Sequence, residues 1–169
     1  MPRHHVTREI IRILDKRAQV PEPAFDPINP HARVRRTTAQ AISTGVTTAL
    51  SFDAQYYDTH GFHSTTVNPT RLTMPQKGFY HVVGFVGIQA NASGSRTVAI
   101  LLNGSTLIAK ESHPPHGTAD DYFNPVTLVQ LGVNDYLELV VFQDSGVTLN
   151  AQAVGAVSPE FAIVRVSNF

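Results

Sequence analysis

The amino-acid sequence predicts an all-β protein built as an antiparallel sandwich or barrel of short strands. Turn residues recur at intervals of roughly ten residues, which is the spacing expected of such sheets. Thr, Val, Ala and Ser are abundant, while charged residues make up only 15% of the chain, against about a quarter in typical globular domains. This composition favours strands over long surface helices.

The individual strands are predicted from runs of β-branched, aromatic and alternating residues between turn signals. Residues 47–52 alternate, which places Leu50 and Phe52 on one face. The pair Asn103-Gly104 predicts a hairpin turn, because both central residues of that turn need a positive φ. The predicted strands cover residues 47–52, 71–74, 79–90, 96–102, 107–111, 122–131, 136–142, 150–154 and 161–166.

Two of these strands, 79–90 and 136–142, are apolar at many successive positions. A strand that faces solvent on one side of a sandwich should instead alternate between apolar and polar residues. Apolarity on both faces therefore predicts that the outer face is covered as well. Four large side chains are candidates for either the core or an interface between subunits: Phe79, Phe85, Tyr136 and Phe142.

A different pattern precedes the strands, and it divides the chain into an N-terminal anchor helix and arm at 1–36 and a single head domain at 37–169. Residues 6–19 have helical spacing, with Ile10 and Leu14 on the apolar side. A helix this short is marginal in water by itself, so it should pack either on its own domain or on a neighbouring chain.

The second half of the anchor is rich in proline, with four of these residues between positions 21 and 30. Proline fixes φ and removes a hydrogen-bond donor, so this stretch is predicted to be an extended arm. Phe25 and Ile28 are its large apolar side chains. Together with Ile10 and Leu14 they are the candidate partner-binding residues, although they could also fold back onto the head.

Charge and cysteine content exclude several classes of protein. The 13 basic and 13 acidic residues balance, so no overall field attracts nucleic acid or a membrane surface. The chain has no cysteine, which rules out disulfides and thiolate metal sites. No apolar run reaches bilayer length, and no apolar signal core follows the N-terminus. We therefore expect synthesis in a cytoplasm without export by an ordinary signal.

Four short motifs occur in a fixed order along the chain: GFYHV at 78–82, LNG at 102–104, LGVNDYLEL at 131–139 and SPEFAIV at 158–164. In this order they resemble the jelly-roll family of the complement globular heads and tumour necrosis factor, over residues 32–169. The run FDAQYYDTHGFHS at 52–64 resembles a segment of the bacterial and bacteriophage members. The resemblance implies an antiparallel jelly roll and a homotrimer in which one edge of each subunit packs round a threefold axis.

The eight histidines are the obvious place to look for ligand chemistry. We interpret them as turn and loop residues and expect no metal and no cofactor, although a calcium site at Asp120-Asp121 is an alternative that jelly rolls of this type suggest. No nucleophile elbow, carboxylate pair or phosphate-binding loop is present, so an enzyme is not expected. The candidate ligand-loop residues are Asp58, His60, His63, His113, His116, Asp120 and Asp121.

The sequence thus leads to a functional hypothesis of assembly rather than catalysis. The predicted protein is a bacteriophage virion component, a trimeric capsid decoration protein that its N-terminal arm fixes to the major capsid protein or to other virion subunits. The alternative is a tail-fibre or tail-tip knob that recognises a host surface sugar or protein through loops 57–67 and 112–124. A metal-dependent jelly-roll enzyme is a third class.

Overall fold

The computed structural model describes residues 29–168, which form two antiparallel β-sheets packed face to face. No helix in this part of the chain is long and apolar enough to cross a membrane. The predicted helix at 6–19 and the predicted anchor residues of the arm lie outside the described residues. The strands are β1 (His31–Arg35), β2 (Gln40–Ile42), β3 (Thr48–Ala49), β4 (Ala54–Asp58), β5 (Arg71–Thr73), β6 (Gly78–Ile88), β7 (Arg96–Leu102), β8 (Thr106–His113), β9 (Asp121–Phe123), β10 (Val126–Leu131), β11 (Tyr136–Gln143), β12 (Leu149–Ala151) and β13 (Glu160–Ser167).

The long strand β6 is the centre of the first sheet, whose order is β2-β12-β6-β13-β1-β4. On its other side β6 pairs with β10 and then with β9, so that Val83 lies opposite Val126 and Val86 lies opposite Phe123. The segment 122–131, predicted as a single strand, is therefore two strands, β9 and β10, which pair with β6 in the same continuous register. It is interrupted at Pro125, which has no N–H to give to the ladder.

The second sheet has the order β3-β11-β7-β8, with β5 also paired to β11. The predicted hairpin between β7 and β8 is confirmed, because Asn103 and Gly104 have φ values of 53° and 74°. Strand β11 is the middle strand, and it begins directly after the tight turn that connects it to β10 of the first sheet. The two sheets are thus joined across the sandwich at the end where β6 starts.

The core lies between the sheets and is filled by alternate residues of each strand, as the period of two requires. Leu50 and Phe52, which the alternation places on one face, are both fully buried. The Phe52 ring stacks on Phe161 of β13, with their centroids 6.0 Å apart. The four aromatic candidates behave differently, because each is only partly buried and lies on the outward face of its sheet: Phe79, Phe85, Tyr136 and Phe142.

Strand β1 lies in the range that the sequence analysis assigned to the extended arm. It is an interior strand of the first sheet, hydrogen-bonded to β13 on one side and to β4 on the other. The physical reason is that no proline follows Pro30 in this stretch, so every N–H can join the ladder. Ala32 and Val34 enter the core while the residues between them face outward. The boundary at residue 36 therefore moves to the start of β1.

Candidate functional site

The outer face of the first sheet carries rows of side chains that run across the strands. Directly paired residues of an antiparallel ladder point to the same side, and the register therefore defines each row. The middle row consists of Tyr57, Arg33, Ala162, Val83 and Val126. Apart from Arg33, the row is apolar from one edge of the sheet to the other.

The adjacent rows extend this apolar surface. One row places Leu128 beside His81 and Val164, and Leu128 is 63% exposed. On the other side of the middle row, the Phe85 ring stacks on Tyr122 with a centroid distance of 6.2 Å and an angle of 11°. Natural monomers seldom leave so many large apolar side chains next to one another in water. We call this surface the apolar face; it comprises Tyr57, Val83, Phe85, Tyr122, Val126, Leu128, Ala162 and Val164.

Charged groups interrupt the apolar face at β1 and β13. Arg33 Nε donates to Glu160 Oε2 at 2.9 Å, and this bond raises the pKa of the Arg33 guanidinium. The Tyr56 ring lies against both Arg33 and Arg35, with guanidinium-to-centroid distances of 4.7 and 4.9 Å. Protein–protein interfaces are enriched in aromatic residues and arginine, and this surface carries both. The small Ala162 side chain leaves depressions on both sides of its row that a complementary surface could fill.

The outer face of the second sheet also has an apolar depression, with a volume of about 540 Å³. Ala99 and Val140 form its floor, where they are paired in the ladder. Leu101, Leu107 and Phe142 line it, and Leu107 is more than half exposed. The predicted apolarity on both faces of the central strands thus corresponds to two outward surfaces, one on each side of the sandwich.

The first predicted ligand loop, after β4, is organised by Asp58. Its Oδ1 accepts the backbone N–H groups of His60, Gly61 and Phe62 at 2.8–3.2 Å, and its Oδ2 accepts that of His63 at 2.9 Å. The His63 ring is buried between Gln55 Nε2 and the Pro69 carbonyl, at 3.1 and 3.2 Å. These contacts give Asp58 and His63 structural roles in the turn.

Replacement of Asp58 by Ala is expected to lower the free energy of unfolding by about 1–3 kcal/mol, because four backbone donors lose their acceptor. Chemical denaturation at fixed protein concentration measures this change. Asp58→Asn keeps one acceptor oxygen for the same turn and should lose less. Equal losses for the two variants, or none for Asp58→Ala, would contradict the structural role.

The second predicted loop, between β8 and β9, brings three of its candidate residues together. The ring of His116 lies 5.1 Å from that of His113, and its Nδ1 lies 2.7 Å from Asp121 Oδ1. Asp120 points elsewhere, since its Oδ1 accepts the Ala90 N–H at 2.8 Å. The structure does not join Asp120 and Asp121 into one calcium site.

Sequence reasoning missed Arg96, which is fully buried beside this loop. Its Nη1 donates to the carbonyls of Ser93 and Ser95, and its Nη2 donates to that of Asn91, at 2.9–3.0 Å. Its Nε lies 3.9 Å from Asp121 Oδ2, where the two side chains form a buried ion pair. The sequence shows only an arginine after a turn, and nothing local marks it as buried.

Comparison with known proteins relates the chain to others by its fold. No protein-family model matches the sequence, and no curated protein matches it significantly. The crystal structure of murine APRIL at pH 5.0 aligns with 82% of this chain and 100% of its own, with a TM-score of 0.63 and 7% identity. The head has a jelly-roll fold. The globular domain of zebrafish complement 1qA protein aligns with 83% of this chain and 99% of its own, with a TM-score of 0.60 and 10% identity.

These two similarities confirm the predicted fold, since one neighbour is like tumour necrosis factor and the other is a complement globular head. At such low identities the likeness concerns the fold alone. The bacteriophage setting, the trimer and the arm remain predictions.

Proposed function

We propose that this chain is a structural protein of a bacteriophage particle, in which three heads associate through the apolar face and the N-terminal segment fixes the trimer to the capsid. The observation that carries the proposal is the apolar face itself. It spans the first sheet from Tyr57 to Val126, which are 45% and 55% exposed in the single chain. Burial of such a surface stabilises association by about 25 cal/mol per Å².

Self-association through this face agrees with the trimer that the sequence resemblance implies. The ion pair of Arg33 and Glu160 within the face would set the register between copies, because a wrong alignment juxtaposes like charges. Trimers suit the local threefold axes of an icosahedral shell. The role is that of an assembly protein on the virion surface, with the capsid subunits as its partners and no catalytic step.

Leu128→Glu is the direct test of association. The substitution places a carboxylate on the β10 side of the apolar face, three times in each trimer, and burial of an unpaired charge is strongly unfavourable. We expect the wild-type chain to have the mass of three subunits by light scattering coupled to gel filtration. The variant is expected to have the mass of one subunit at the same micromolar concentration.

Leu107→Glu is the matched control. Leu107 is 54% exposed, comparable to Leu128 at 63%, but lies on the outer face of the second sheet. This variant is expected to remain trimeric. A wild-type protein that is monomeric, or a Leu128→Glu variant that keeps the wild-type mass, would rule out association through the apolar face.

A further inference from the structure

We propose that His113, His116 and Asp121 form a binding site for one transition-metal ion of the zinc class. Their candidate ligand atoms all lie within 4.8 Å of one another. The sequence predicts loop residues and no metal here, and only the structure shows the three side chains converging. The inference uses none of the residues of the apolar face, and it is therefore independent of the proposed assembly function.

Two of the three ligands are held by strands of different sheets. His113 is the last residue of β8 and lies opposite Arg96 of β7. Asp121 is the first residue of β9 and lies opposite Ile88 of β6. A metal ion bound between them would join the second sheet to the first at this end of the sandwich. His116 lies in the connecting loop and would close the site over the ion.

A backbone hydrogen bond fixes the tautomer of the His113 ring in the form that suits a metal ligand. Its Nδ1 lies 2.9 Å from the Pro114 carbonyl oxygen, and a ring nitrogen in this position donates its hydrogen. The other nitrogen, Nε2, therefore carries the free lone pair, as in most metal-bound histidines. The ring also stacks on Phe123, with a centroid distance of 4.2 Å and an angle of 9°.

Asp121 is the buried member of the set, with a side-chain exposure of 0%. Among the described residues its Oδ2 accepts no hydrogen bond and faces Arg96 Nε at an ion-pair distance of 3.9 Å, so this buried charge is incompletely compensated. Its Oδ1 accepts the His116 N–H at 3.0 Å and lies 2.7 Å from His116 Nδ1. A metal ion would replace the hydrogen that these two atoms share.

The donor set selects the class of metal. Two imidazoles and one carboxylate suit zinc and similar ions, and a fourth position left to water would give the tetrahedral geometry that zinc prefers. Calcium instead needs six or more oxygen ligands. The nearby Arg96 offsets part of the carboxylate charge, so the affinity must come mainly from the neutral imidazoles. This also favours a nitrogen-preferring ion.

The loop can supply the movement that binding requires. Tetrahedral zinc with bonds of about 2.0–2.1 Å sets its donor atoms about 3.3 Å from one another. His116 Nδ1 and Asp121 Oδ1, now 2.7 Å apart, would have to separate, while donor atoms as far apart as 4.8 Å would have to approach. The His116 side chain is 67% exposed, so its ring can shift without disturbing the core. Gly117, the next residue, has a φ of 83°, a conformation that gives the loop a turn beside the ligand.

The test uses the full chain, stripped of metal with a chelator and then titrated with zinc against a chromophoric competitor. His4 and His5 are both replaced by Ala in the parent protein, because adjacent histidines bind metals without a built site. We expect one zinc ion per chain. His116→Ala and His113→Phe should each weaken binding by more than about tenfold, and the latter keeps a ring to stack on Phe123. Cobalt in place of zinc should give the visible bands of a tetrahedral site.

His60→Ala is the matched control, because His60 lies in a different loop and should not affect zinc binding. Circular dichroism establishes that each variant is folded. The proposal fails if His116→Ala binds zinc as tightly as the parent, if His60→Ala weakens binding as much as His116→Ala does, or if the parent has no saturable site. His116 is exposed, so its substitution reports on the metal site even if His113→Phe does not fold.

Discussion

Deletion of residues 1–28 is expected to weaken binding of the trimer to virus particles by about a hundredfold or more, because arms linked to one trimer bind as intramolecular partners. The head should remain folded and trimeric. The cut must fall before Asn29, since the Pro30 carbonyl accepts the Arg165 N–H at 2.9 Å and so belongs to the first sheet. Co-sedimentation with particles that lack this protein measures the loss.

Point variants in the arm provide the control for this deletion. Phe25→Ala and Ile28→Ala should each weaken binding, whereas Val67→Ala, at an exposed position of the head, should not. A truncated trimer that binds particles as tightly as the full chain would refute anchoring by the arm. If the trimers instead bind host cells or purified envelope sugars, the tail-knob function replaces the capsid function.

Arg96→Met is expected to lower the free energy of unfolding by about 3–5 kcal/mol, the loss typical when one partner of a buried ion pair is removed. The variant leaves Asp121 buried without its counter-charge, and it deprives the carbonyls of Asn91, Ser93 and Ser95 of their donors. Chemical denaturation at a single protein concentration measures the change, since association also contributes to stability.

Two further variants establish the cause of that loss of stability. Adding Asp121→Asn to Arg96→Met should cost less than the sum of the single changes, because the unpaired charge is then gone. Arg71→Met removes a more exposed ion pair, with Glu138, and is expected to cost only about 1 kcal/mol. Similar losses for Arg71→Met and Arg96→Met would show that burial of the charge is not what matters.

The strands of the head were predictable because their signal is local. Alternation placed Leu50 and Phe52 on one face, which is the buried one, and Asn103-Gly104 identified the hairpin. Strand β1 was missed because its outward positions are basic and a proline-rich stretch precedes it. Its small inward residues, Ala32 and Val34, carry little apolar signal by themselves. Only the pairing with β13 and β4 shows that this segment is a strand.

The candidate surfaces were less predictable, because they depend on pairings between distant strands. Val126 and Leu128 look like ordinary strand residues, and the register against β6 is what adds them to Val83 on one face. Likewise a loop separates His113 from Asp121 along the chain. The two residues approach each other because of where β8 pairs with β7 and β9 pairs with β6. No periodicity in the sequence predicts which loops and sheet edges lie close together in the fold.

The antiparallel pairing of β1 with β13 has a practical consequence for engineering. Because His31 lies opposite Val164, the chain enters and leaves the head at the same end, while Asp121, opposite Ile88, lies at the other end of β6. If the N-terminal segment holds the head on a particle, as proposed, cargo fused downstream of β13 would be displayed close to the particle wall. A peptide inserted at residues 114–120 would instead project outward, where an antibody or a cell receptor could reach it.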